Sequence, residues 1–148
     1  PQHHVCKSCK SYRDQQLCKH DAEAKGFGDA LMLDYRGYLA ETTGANLFLV
    51  MNGEIHTPTP DCFLDGITRR ATIALAEARE IPVIERHIRP EEVREAHEIF
   101  VTGTAAEVTP VRAIDELSYQ LGPITQQLME DFRDLTRPRQ NAVAAQVG

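Results

Sequence analysis

The sequence predicts a single α/β (α+β) domain, and three observations carry that prediction. Short apolar runs closed by turn residues alternate with longer stretches whose apolar positions recur every three to four residues. At 148 residues and 42% hydrophobic content, the chain can bury one core and is too short for two comfortable ones. No internal repeat and no low-complexity block interrupts it.

The elements follow in order. Residues 11–25 are polar and rich in helix formers, and Gly26 stands where a left-handed helix stop is wanted. Ala30-Leu31-Met32-Leu33 is a short strand, turned by Asp34-Tyr35-Arg36-Gly37 into Tyr38-Leu39-Ala40-Glu41. Asn46 to Met51 is a second strand, and Asn52-Gly53 is a strong hairpin signal returning it along Glu54-Ile55-His56. Thr57-Pro58-Thr59-Pro60 reads as an extended surface connection, because neither proline donates to a ladder. Ile67, Ala71, Ala74, Leu75 and Ala78 give an apolar face to a helix that starts near Thr68 and ends before Pro82.

Residues 82–87 then alternate as a strand, and proline with two glutamates opens a helical turn over residues 90–96. Ile99-Phe100-Val101 is a buried strand, and residues 108–114 form another. Pro123 opens the last helix, with Ile124, Leu128, Phe132 and Leu135 on one stripe. These elements place a domain over residues 1–135 and a frayed tail over 136–148.

Composition narrows the partners. Lys and Arg number 16 against 22 Asp and Glu, a net charge of -6, so no global basic field exists to hold nucleic acid. The longest uncharged apolar run, residues 45–53, is far below the ~20 residues a membrane helix needs. No positively charged segment leading into an apolar run opens the sequence, so a cytoplasmic setting is the expectation. The four cysteines are too few and too uneven for a secreted framework, and reduced thiols are the simpler reading, with Cys18 and Cys62 as small buried hydrophobes. Cys6-x-x-Cys9, Cys18-x-His20 and His3-His4 leave a small zinc module open as an alternative, although the second spacing does not fit a zinc finger. A thioredoxin-type role for the Cys-x-x-Cys would need a preceding strand, and the polar opening shows no strand pattern.

Two loops suggest anion chemistry. In Asp65-Gly66-Ile67-Thr68-Arg69 a glycine leads into a helix, so free backbone N–H groups, a hydroxyl and a positive dipole end converge. An ordinary glycine start capped by Thr68 is the alternative. In Thr102-Gly103-Thr104-Ala105-Ala106-Glu107 a buried strand runs into small hydroxyl-bearing residues with free backbone donors, or simply turns tightly. Neither a Walker sequence nor a dinucleotide fingerprint is present. Glu41 ends a strand in a loop of small residues, an odd place for a carboxylate unless it is paired, and Lys7 and Lys10 precede the first helix.

Taken in order, these words resemble the class IV pyridoxal-phosphate aminotransferases, the group of branched-chain and D-amino-acid aminotransferases and aminodeoxychorismate lyase. The resemblance rests on the run from Gly37 to Phe48, on Thr57-Pro58, on the run from Leu64 to Arg69 and on the run from Thr102 to Val111. It covers most of the chain, from about Lys7 to Phe132. The implied fold is the large, cofactor-binding domain of the D-amino-acid-aminotransferase-like type, a mixed sheet or pseudo-barrel flanked by about four helices.

By that resemblance, the catalytic lysine that carries pyridoxal 5'-phosphate and shuttles the substrate α-proton falls on Lys7, with Lys10 fitting the spacing less well. The tyrosine contacting the cofactor's phenolic oxygen falls on Tyr12. Glu41 matches the carboxylate that keeps the pyridinium nitrogen protonated, and Leu64 the residue that packs on the ring. Ile67, Thr68 and Thr104 match the phosphate cradle, and the N–H groups of Thr104 and Ala105 face the substrate carboxylate. The implied reaction moves an amino group between a branched-chain L-amino acid and 2-oxoglutarate in a homodimer, without a metal. D-amino-acid specificity, a lyase relative or a non-catalytic relic are the alternatives. The residues around Lys7, and Ala45 in place of a common acidic residue, depart from the family pattern. Family members are longer, so the N-terminal domain that supplies a phosphate-binding arginine and part of the pocket lies outside these 148 residues.

Overall fold

The computed structural model describes residues 2–6 and 12–137, with side chains from residue 17 onward. Strand β1 (Gln2–Cys6), helix α1 (Tyr12–Ala24) and strand β2 (Asp29–Leu33) open the fold. Gly26, at φ 86°, stops α1 in the left-handed region, as its lack of a Cβ allows. Strand β3 (Leu39–Thr42) returns antiparallel to β2 through a turn in which Asp34 Oδ1 accepts from the Arg36 and Tyr38 N–H groups. Strands β4 (Asn46–Met51) and β5 (Glu54–Pro58) follow as a hairpin with Asn52 and Gly53 both at positive φ, the two-residue geometry that matches strand twist. Helix α2 (Ile67–Ala78) and strand β6 (Val83–Arg86) lead to a 3-10 turn, Pro90–Arg94. Strands β7 (Glu98–Gly103), β8 (Glu107–Pro110), β9 (Ala113–Ile114) and β10 (Leu117–Ser118) precede helix α3 (Pro123–Thr136).

The strands run in the order β10-β9-β1-β2-β3-β4-β5-β6, with β7 on β4 and β8 on β7. β7 pairs with β4 from Asn46 to Val50, while the opposite edge of β4 meets β3 at Asn46 and β5 from Leu49 onward. The sheet therefore wraps instead of lying open. Alternation along β4 and β7 feeds two cores. Leu47, Leu49, Ile99 and Val101 face Leu31, Leu39, Ile88 and Ile114 between the strands, while Phe48, Val50 and Phe100 face Ala76, Leu128 and Phe132 from α2 and α3. Phe48 and Phe100 stack at 4.8 Å. α1 rests on a smaller cluster, where Cys18 and Ala22 meet Ala30 and Met32. Among the described residues, no helix is long and apolar enough to cross a membrane.

Five sequence expectations need correction. The polar opening is a strand after all, because backbone pairing with β2 on one side and β9 on the other supplies what its side chains do not advertise. Thr57 and Pro58 belong to β5, with Thr57 fully buried and its hydroxyl donating to the Leu47 carbonyl at 2.8 Å, and with Pro58 at the strand's last position. The strand expected over residues 108–114 breaks after Pro110, and its second half crosses to pair with β1. α2 buries Arg69, Thr72 and Ala76, while Ile67 is 81% exposed and Ala74 and Ala78 face solvent. Cys62 is an exposed free thiol and Cys18, though buried, is disulfide-bonded. The last helix keeps its expected stripe through Leu128 and Phe132, with Leu135 left exposed.

Candidate functional site

The turn between β3 and β4 spans residues 42–45, with the Thr42 N–H donating to the Ala45 carbonyl at 2.8 Å. It sets Glu41 opposite Asn46, and Asn46 stands opposite Thr102 of β7. Cross-strand partners in register project to one face of a sheet. Glu41, Asn46 and Thr102 thus form a polar row across three strands, on the face that carries Phe48 and Phe100 farther along.

A second wall comes from the segment that starts α2. Asn46 Nδ2 donates to the Leu64 carbonyl at 2.9 Å. A Cβ on Gly66 would lie 2.7 Å from Asn46 Oδ1, so glycine lets this segment close onto the strand. Gly66 is also the N-cap of α2 and offers no side-chain cap, leaving the first-turn N–H groups without one. Arg69, only 1% exposed, anchors the start of the helix by donating to Asp65 (2.8 Å), Glu85 (2.9 Å) and the Pro58 carbonyl (3.2 Å). The third wall is the turn after β7, where Gly103 passes close to the Gly44 carbonyl. Together the walls enclose a cavity of about 120 Å³ open at one side.

Burial pushes the Glu41 carboxyl up to about 7, so it exchanges a proton near neutrality. Across the row, the Thr102 hydroxyl is buried without a hydrogen-bond partner. At the rim Leu64 and Ile67 are 78% and 81% exposed.

The family model for amino-transferase class IV matches residues 1–114. The chain belongs to the class IV aminotransferases. It is 38% identical to the branched-chain-amino-acid aminotransferase of Pseudomonas aeruginosa, a match that covers 96% of this chain and 49% of that protein. Among solved structures it superimposes on the branched-chain amino acid aminotransferase from Escherichia coli with a TM-score of 0.86 and 32% identity, over 90% of this chain and 52% of that one. An aminotransferase from Brucella abortus bound to the cofactor PLP gives a TM-score of 0.81 and 37% identity, over 84% of this chain and 45% of that one. The chain thus spans about half the length of the relatives it matches.

Of the residues that resemblance singled out in this class IV chain, Glu41, Leu64, Ile67, Thr68 and Thr104 all line the one cavity. Ala105 does not; it lines an adjoining groove that shares Gly44 and Ala45 with the cavity. Lys7 lies outside the described residues, and Tyr12 opens α1 but its side chain is outside them. The Cys6 and Cys9 side chains, raised for zinc, also lie outside. Among the described residues one group, Asp34, Asp61 and Cys62, has metal-type ligand atoms in mutual reach. The Arg36 guanidinium already bridges its two carboxylates, at 2.7 Å and 2.9 Å. Asn46, Arg69 and Thr102 stand in the quoted motifs, but sequence reasoning gave none of them a role. Only the register and the fold of the segment before α2 reveal what they touch.

Proposed function

We propose that this chain is the cofactor-binding part of a pyridoxal-phosphate-dependent transaminase, moving an amino group between a branched-chain L-amino acid and 2-oxoglutarate. The observation that carries the reading is the convergence of Glu41, the start of α2 and Thr104 on one cavity. These residues fit a phosphorylated pyridine. Gly66 has no room for a Cβ beside Asn46, the start of α2 has no side-chain cap to compete with an anion, and a desolvated carboxyl sits across from them. The names and ligands of the similar proteins support the same reading.

In this reading Ile67 and Thr68 donate backbone N–H groups, and Thr104 its hydroxyl, to the phosphate. Leu64 covers the ring. Glu41 holds a proton on the pyridinium nitrogen, a task suited to a carboxyl already near 7, since proton sharing costs least between groups of similar basicity. Bound pyridoxal phosphate supplies the electron sink that makes the substrate α-proton removable. Lys7 would hold the cofactor covalently through its side-chain nitrogen and would move the proton at the substrate Cα. Tyr12 binds the phenolic oxygen, and the N–H groups of Thr104 and Ala105 orient the substrate carboxylate. We place the protein in the cytoplasm as a homodimer, in which the exposed Leu64 and Ile67 are covered by chain that this structure does not contain.

The test is a visible spectrum after incubation with pyridoxal phosphate and dialysis, beside a Lys7→Ala variant. A retained band that vanishes in the variant and shifts with leucine supports the reading, whereas loss of the band from the unaltered protein counts against it. A shift with D-alanine and none with leucine would move the assignment to D-amino acids.

A further inference from the structure

Thr102 presents a problem that the fold alone does not solve. Its side chain is fully buried on β7, and Oγ1 has no partner. An unsatisfied buried hydroxyl is destabilising, and valine would fill the same space in the same strand without that penalty. Thr102 is one of the residues that line the cavity, and its hydroxyl is buried beside it, at the opposite end of the row from Glu41. Two strand spacings separate those ends by roughly 10 Å, enough for a phosphorylated ring with a hydrogen bond at each extremity. Thr102 also sits two residues before Thr104, at the same end of β7, and two strands away from Glu41, which puts it on the side away from the ring nitrogen in the reading above.

We propose that Thr102 is a further cofactor-binding residue, its hydroxyl donating a hydrogen bond to an oxygen of the phosphate group held in this cavity. The assignment rests on the pyridoxal-phosphate reading above. A phosphate oxygen in the cavity gives the hydroxyl the partner that no protein group supplies, so the residue trades a little stability of the cofactor-free chain for affinity.

The experiment measures dissociation constants for pyridoxal phosphate and for pyridoxal, which keeps the ring and lacks the phosphate, together with melting temperatures of the cofactor-free proteins. Unaltered protein, Thr102→Val and Thr102→Ser are compared. A hydrogen bond to a charged group predicts that Thr102→Val binds pyridoxal phosphate about tenfold more weakly and pyridoxal equally well. Thr102→Ser keeps the affinity for both, and Thr102→Val without cofactor melts no lower than the unaltered protein. Equal losses for both compounds would put the contact on the ring and overturn the assignment, as would unchanged affinities. A lower melting temperature of cofactor-free Thr102→Val would show that the hydroxyl serves the fold, and would overturn it too. If the unaltered protein binds neither compound, the pyridoxal-phosphate reading falls first and takes this assignment with it.

Discussion

Glu41 carries a charge that the fold resists. Burial raises its pKa from an ordinary carboxyl value to about 7, so between roughly pH 4.5 and 7 the folded chain binds a proton that the unfolded chain has released. Its contribution then favours the folded state at low pH and is lost as pH rises through the folded value. A Glu41→Gln variant has no such proton. The cofactor-free protein is therefore expected to lose melting temperature relative to Glu41→Gln as pH goes from 5 to 8, as followed by circular dichroism. A pH-independent difference between the two would refute the burial argument. Gly66 gives a second prediction at this scale. Gly66→Ala would push a methyl to 2.7 Å from Asn46 Oδ1, which must break the Asn46 clasp on Leu64 or shift the start of α2. Overpacking of this kind costs about 1–3 kcal/mol. Urea unfolding should show that loss, and retention of pyridoxal phosphate should fall with it, because the shifted segment is one wall of the cavity.

At the scale of elements, helix α3 is held by a carboxylate from a neighbouring strand. Glu98, buried on β7, accepts from the Thr125 N–H at 2.8 Å, so a negative group meets the positive end of the helix. A Cβ on Gly122 would lie 2.0 Å from Glu98 Cδ, which explains glycine ahead of Pro123. Glu98→Ala is expected to cost about 1–2 kcal/mol, the worth of a helix cap, and Glu98→Gln less, since it keeps the acceptor. Equal losses for the two in urea titrations would mean that the charge, and not the acceptor, matters.

The same elements show what the sequence reveals of the fold and what it withholds. Turns read correctly where a single residue type dictates them, as at Gly26 and Asn52-Gly53, both at positive φ. The face of α2 misleads because a buried Arg69, whose two terminal nitrogens donate to Asp65, Glu85 and a carbonyl, breaks the rule that apolar residues mark the inside. β1 escapes notice because its order comes from backbone pairing on two sides. Motif words single out Glu41, Thr68 and Thr104, which the fold brings to one cavity, whereas Asn46 and Thr102 gain meaning from register, a tertiary property.

Across the whole molecule, stability is unevenly distributed. β4 and β7 contribute to both large cores through opposite faces, so neither core can open without exposing the other. α1 rests on a smaller cluster of Cys18, Ala22, Ala30 and Met32, with the half-buried Phe27 packed against it, which buries less apolar surface than either large core. Its amides should therefore exchange with solvent roughly 100-fold faster than those of β4, a difference of about 2.7 kcal/mol in opening free energy. Lys7 precedes α1 in the sequence and Tyr12 is its first residue. If they grip pyridoxal phosphate as proposed, α1 cannot open while the cofactor stays bound, and its exchange must slow by about the factor of occupancy, close to 100-fold at 100 times the dissociation constant. Hydrogen exchange read by mass spectrometry, with and without cofactor, measures this directly. Slowing in β4 alone, with α1 exchanging as before, would mean that the cavity holds the cofactor from the strand side and that the segment bearing Lys7 takes no part in its retention.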